Sequence, residues 1–149
     1  MNALAATHDA AVQMIDTSIV RVHQHAACIT RNRKQAMGRF RGGLTSKIHA
    51  VVDTNGLPVR LALTAGEDWI RALVAEKGEW ANIPPRFNRN EPICFSPSLY
   101  RARNLVERFF NKIKQCRRVA TRYDKLAVNY LALVQRASIR LWLRNALAH

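Results

Sequence analysis

The sequence predicts an α/β domain, and three stretches carry that prediction. Met14 to Val22, MIDTSIVRV, is a β-branched run of strand composition. Leu44–Val52 and Pro58–Ala65 form two more strands joined by Asp53-Thr54-Asn55-Gly56, and Asn-Gly is a strong short-range hairpin signal. Tyr100 to Arg118, YRARNLVERFFNKIKQCRR, places Ala102, Leu105, Val106, Phe109, Phe110 and Ile113 at helical spacing on one apolar face. With 149 residues and 48% hydrophobic content, the chain is expected to form at most one domain with enough apolar material for a core.

In chain order, residues 1–13 read as a helical or frayed lead-in. Asp16 lies inside the first strand, where Asp is depleted, so it either faces water near the strand start or presents a carboxylate from a rigid strand. His23, His25 and Cys28 follow; a zinc site would need a fourth ligand and a second cluster, which the sequence lacks, so ordinary polar residues at a strand exit are the better reading. Residues 31–47, RNRKQAMGRFRGGLTSK, read as a mobile basic loop in which Arg39, Arg41 and Lys47 approach phosphates. In the hairpin, Asp53 is expected to cap turn N–H groups rather than serve as a catalytic acid.

Beyond the hairpin, Asp68 reads as the N-cap of a short helix with Trp69, Ile70, Leu73 and Val74 buried and Gly78 as its stop. Trp80 to Ile83 reads as a short strand ended by Pro84-Pro85. The helix Tyr100–Arg118 comes next, then a turn near Tyr123 and Asp124. The last helix, residues 125–147, is apolar over most of its circumference and is expected to pack on the core or on a partner.

Charge points to nucleic acid. The formal net charge is +14, and residues 101–149 carry twelve Lys or Arg against two acids. A basic face on one part of a chain is the usual footprint of phosphate contacts. No apolar run approaches the ~20 residues of a spanning helix. The N-terminal MNALAATHDAAVQ lacks a basic n-region, so no signal peptide is expected. Three scattered cysteines without a CxxC suit a reducing cytosol and argue against a disulfide framework or a structural zinc site.

Within this basic segment one acid stands out. Glu107 is the only acidic residue between Glu91 and Asp124, and it shares a helical stripe with Arg103, Asn111, Lys114 and Arg118. Helix geometry leaves two readings open: a run of i, i+4 salt bridges, or a carboxylate holding a metal while the cations grip phosphates. A small RNA-binding protein is a third class, but Phe109 and Phe110 lie on the apolar face and make poor stacking platforms.

Tyr100, Arg103, Glu107 and Lys114 have the spacing Y-x2-R-x3-E-x6-K, which resembles the Y-R-E-K signature of bacterial insertion-sequence DDE transposases. MIDTSIVRVHQHAA resembles the segment with the first catalytic aspartate, and GRFRGGLTSKIHAVVDTNGLPVRLALTAG the hairpin after it. ANIPPRFNR and the helix that follows resemble the C-terminal half, so the likeness spans roughly residues 14 to 145.

The resemblance implies a ribonuclease-H-like mixed sheet flanked by helices. It implies residues 1–13 as a lead-in and 14–149 as the catalytic domain. It further implies two divalent ions, Mg2+ or Mn2+, held by two Asp and one Glu, with Asp16 and Glu107 as catalytic and metal-binding residues. Arg103 and Lys114 would steady DNA phosphates, with Tyr100 in support. The implied partner is double-stranded DNA, at transposon ends and target.

The chain departs from the pattern at the middle aspartate. LALTAGE runs directly into DWIRALVAEKG, as if an internal deletion near 66–68 had removed a helix, a strand and that ligand. Glu67 and Asp68 align with the tail of the motif, and Glu79 and Glu91 do not match it. The fold is therefore expected to be incomplete. The expectation is a shortened transposase that binds DNA with impaired chemistry. The alternatives are recruitment of Glu67 or Asp68 as the missing ligand, or a non-catalytic remnant that regulates an intact transposase as its partner or as a homo-oligomer.

Overall fold

The computed structural model describes residues 13–27, 35–65 and 96–148. Strand β1 (Met14–Val22) is followed by a single 3-10 turn (Gln24–Ala26), β2 (Gly38–Phe40), β3 (Gly43–Val52) and β4 (Pro58–Thr64). Then come α1 (Pro97–Arg101), α2 (Asn104–Lys114), α3 (Arg117–Ala120), β5 (Thr121–Arg122) and α4 (Ala127–Ala146). The chain is thus an α/β protein with one mixed sheet and helices packed on it.

β3 is the centre of the sheet. β1 runs antiparallel along one edge, from Met14 opposite Val52 to Arg21 opposite Thr45. The other edge of β3 is divided between two strands: β2 pairs at Thr45 and below, β4 from Lys47 to Val52. β5 lies parallel to β1 at Arg21 and Val22. The β3–β4 connection is the Asn-Gly turn, with Gly56 at φ 74°. Asp53 caps it as expected, its Oδ1 accepting from the N–H groups of Asn55 and Leu57. Close approach fixes another glycine: a Cβ on Gly38 would stand 2.6 Å from the Ala65 carbonyl oxygen.

Alternation along the strands selects the core. Met14 and Val20 of β1 and Ile48, Ala50 and Val52 of β3 share one face. That face packs against Val106, Phe109, Phe110 and Ile113 of α2 and Tyr130 and Val134 of α4. Each large apolar side chain buried there contributes roughly 1.5–3 kcal/mol. α4 is also tied to β4, where the Trp142 indole donates to the Pro58 carbonyl at 3.0 Å.

Arg122, in β5, is fully buried. Its guanidinium donates to the carbonyls of Gln35, Asp124 and Lys125 and to Ser46 Oγ, at 2.8–3.0 Å, and lies over the Tyr130 ring. Gln35 adds a second tie, its Oε1 accepting from the Ala127 N–H at the start of α4.

Two expectations are corrected. The helix Tyr100–Arg118 is three short helices. Arg103, Leu105 and Val106 donate to the carbonyl three residues back, which tightens the chain between α1 and α2. Cys116 is extended (ψ 110°), which separates α2 from α3. The basic loop 31–47 is partly sheet, for β2 and the start of β3 lie in it and Met37 and Lys47 are buried. α4 packs on the core as expected, through Tyr130 and Val134, while its outer face exposes Val128, Arg136, Arg140 and Leu143. β5 was not anticipated. The helix after Asp68, the strand Trp80–Ile83 and the junction at 66–68 lie outside the described residues. Among the described residues, no helix is long and apolar enough to cross a membrane.

Candidate active site

Asp16 has the same strand parity as Met14 and Val20, so its carboxylate points to the face that α2 covers. Oδ1 accepts from the Thr17 N–H at 2.7 Å, and Oδ2 accepts from Arg103 Nε at 2.9 Å. Arg103 stands at the break between α1 and α2, and its backbone carbonyl receives the N–H groups of Val106 and Glu107. The tight turn therefore aims the guanidinium at β1 instead of leaving it on the helix surface. A second guanidinium nitrogen, Nη1, donates to the Tyr100 hydroxyl at 2.6 Å, and the third, Nη2, lies 3.8 Å from Glu107 Oε1.

Arg103 thus joins a strand carboxylate, a helix carboxylate and a phenol. The two acids differ in exposure: the Asp16 side chain is 19% exposed and that of Glu107 57%, so Glu107 is the one open to an incoming ligand. Partial burial works to lower the Arg103 pKa, but the hydrogen bond and charge of Asp16, with Tyr100, outweigh it and the net direction is upward. Arg103 stays cationic at any pH the protein meets.

Lys114 lies two turns further along α2. Its Nζ donates to the Ile19 carbonyl at 3.3 Å. From Glu107 to Lys114 α2 rises about 10 Å, and from Asp16 to Ile19 β1 advances about 10 Å. The two elements therefore run side by side, and Asp16, Tyr100, Arg103, Glu107 and Lys114 line one seam. Burial pushes the Lys114 ammonium below its usual pKa.

The other anticipated cations are elsewhere. Arg39 and Arg41 are exposed, but Arg39 pairs with Leu44 while Asp16 pairs with Ala50, a separation of roughly 20 Å along β3. Lys47 is buried, opposite Ile19 on the reverse face of the sheet. That position corrects the reading of it as a loop residue. At the exit of β1, the His23 ring accepts from the His25 N–H and stacks near Tyr123, and Cys28 lies outside the described residues. Among the described residues, no group of three His, Cys, Asp or Glu is placed to hold a metal ion.

One polar chain escaped the sequence reading. On the reverse face, the buried His49 hydrogen-bonds through Nδ1 with Thr17 Oγ1 at 2.7 Å and through Nε2 with Thr64 Oγ1 at 2.6 Å. It ties β1, β3 and β4 together behind Asp16. The alternation of β3 placed His49 off the core face, and that was the only available signal.

Comparison with known proteins supplies the class. A protein of Brucella ovis named as a transposase for insertion sequence element IS6501 is 30% identical over 130 residues, covering 68% of this chain and 100% of the relative. The chain belongs to the insertion-sequence transposases. Within that class its documented likeness is to the transposase of IS6501. No family model matches the chain, and no solved structure matches it.

Proposed function

We propose that the chain is a DDE-type transposase of ribonuclease-H-like fold that lacks its second catalytic aspartate. On this reading it binds double-stranded DNA, and its phosphodiester cleavage and strand transfer are impaired. The observation that carries the proposal is the meeting of Asp16 and Glu107 at the guanidinium of Arg103, which lies 87 residues from Asp16 in sequence. The antiparallel β1–β3–β4 arrangement, with β5 parallel to β1 and the Glu107 helix laid across it, supports the fold assignment.

Asp16 and Glu107 are the hard oxygen donors that Mg2+ or Mn2+ takes, one on a strand and one on a helix. They fit part of a donor set. Arg103 already meets both, at 2.9 and 3.8 Å, and no third acid joins them among the described residues. When bound, such ions activate water or a DNA 3′-OH and stabilise the leaving oxygen. With two carboxylates in place of three, the chain holds the ions weakly. Its own cations do the remaining work: Arg103 and Lys114 hold phosphates along the α2–β1 seam, Tyr100 orients Arg103, and Arg39 and Arg41 contact a more distant stretch of the duplex. Lys47, being buried, is left out of that set.

A second reading is a DNA-binding remnant that regulates an intact transposase, favoured by the same Arg103, which sets a cation of the protein's own between the two acids. The deciding experiment is nicking and end-joining of DNA by purified protein in Mg2+ or Mn2+, with Glu107→Gln as control. Weak activity abolished in the control supports the impaired enzyme. Binding without any cleavage supports the remnant. Robust joining by this chain alone overturns the proposed loss of the second aspartate's role.

A further inference from the structure

We infer that the outward face of α4 is a second DNA-contacting surface, one that grips the backbone of the duplex beyond the α2–β1 seam. It rests on the DNA-binding reading above. Over its 20 residues α4 carries Arg136, Arg140 and Arg144 and no Asp or Glu. The three arginines are spaced four apart, so they form one row along the helix, and all three are exposed. Among the described residues none of them makes an ion pair, unlike Arg103 and Arg118. Like charges at this spacing destabilise a helix, and an ordinary solvated face relieves them with acids. A row left wholly positive in a chain of net charge +14 suits a polyanion.

The geometry suits a duplex. The row spans about 12 Å of helix axis, over which double-stranded DNA presents about seven phosphates. It also begins at the correct end of the sheet. Trp142 bonds to Pro58, at the start of β4, and a Cβ on Gly56 of the same β3–β4 connection would stand 3.6 Å from Leu105, two residues from Arg103. The C-terminal turns of α4 and the Arg103 end of α2 therefore meet at one connection, and one duplex can run from the seam onto α4. Leu143 and Leu147 are exposed at that same end, so a second copy of the chain is the competing occupant.

The test is binding of a labelled duplex as salt is raised, comparing the wild type with the triple variant Arg136→Gln/Arg140→Gln/Arg144→Gln. Gln keeps helix propensity, and circular dichroism checks the fold. Each lost phosphate contact removes about 0.9 from the slope of log affinity against log salt, so the triple variant should lose about 2.7. Between about 50 and 200 mM salt, the wild type then weakens roughly 40-fold more than the variant. An unchanged slope in a folded variant, with the wild type still salt-sensitive, overturns the α4 surface and leaves the DNA-binding reading standing. An unchanged slope with a dimer lost on sedimentation overturns it in favour of a second copy. No salt-sensitive binding by the wild type overturns both.

Discussion

Arg103 Nε and Asp16 Oδ2 meet at 2.9 Å, and through that contact a helix break and a strand interior define one site. The geometry has a direct chemical consequence. Among the described residues the cation that meets both carboxylates is Arg103, so a metal ion at this site would compete with a guanidinium that cannot lose its charge.

Arg103→Gln removes that competitor. Mn2+ affinity, measured by calorimetry, should rise several-fold, in keeping with the ~1 kcal/mol that an exposed ion pair is worth at most. DNA affinity should fall in the same variant. A variant that loses both metal and DNA binding would mean that Arg103 builds the site rather than blocks it.

Lys114 gives a pH signature. Burial lowers its pKa in the free protein, and a phosphate beside it would raise it again. Binding should then take up protons in the alkaline range and weaken as pH rises through it. Lys114→Gln should abolish that dependence and reduce the salt slope by about 0.9. Titration of duplex binding at several alkaline pH values reads both effects.

Arg122 should be costly to replace although no chemistry is assigned to it. Lysine has no planar fork to reach Gln35, Ser46, Asp124 and Lys125 together. Arg122→Lys is expected to lose roughly 2–4 kcal/mol in urea unfolding, because the orphaned carbonyls are buried.

Tyr130 predicts the alkaline limit of the fold. Burial raises its pKa far above the usual value, and its hydroxyl donates to the Val119 carbonyl. The unfolded phenol ionises near pH 10 while the folded one keeps its proton, so the folded state binds more protons and stability falls as pH climbs past about 10. Tyr130→Phe should flatten that decline while costing about 1 kcal/mol at neutral pH for the lost hydrogen bond. Denaturation midpoints at neutral and alkaline pH test the sign.

Much of this was legible because it rests on short-range pattern. β1 falls on the predicted residues, the Asn-Gly hairpin is correct to within a residue at either end, and the apolar stripe of α2 is the stripe that is buried. That Asp16 and Glu107 share one site was implied by the resemblance to the Y-R-E-K transposases, whereas the ion pair of Arg103 with Asp16 had no signal in the sequence. Other features had no local signal. Periodicity cannot distinguish a continuous helix from one tightened at residues 102–106, where tertiary contact with Asp16 sets the aim of Arg103. β5 has two residues, too few for a pattern. Arg122 reads as a surface cation until a carbonyl 87 residues away is known to accept from it.

The shared edge of β3 bears on how this chain can change over time. Ile48, Ala50 and Val52 must face the helices, while His49 must sit between Thr17 and Thr64, and two different strands read the far side of the same ten residues. Adding or removing a single residue there would swap the two faces at once. Length variation among relatives should therefore spare 43–52 and gather at the connections, such as 41–42 and 54–55, where a residue can be gained or lost without inverting anything.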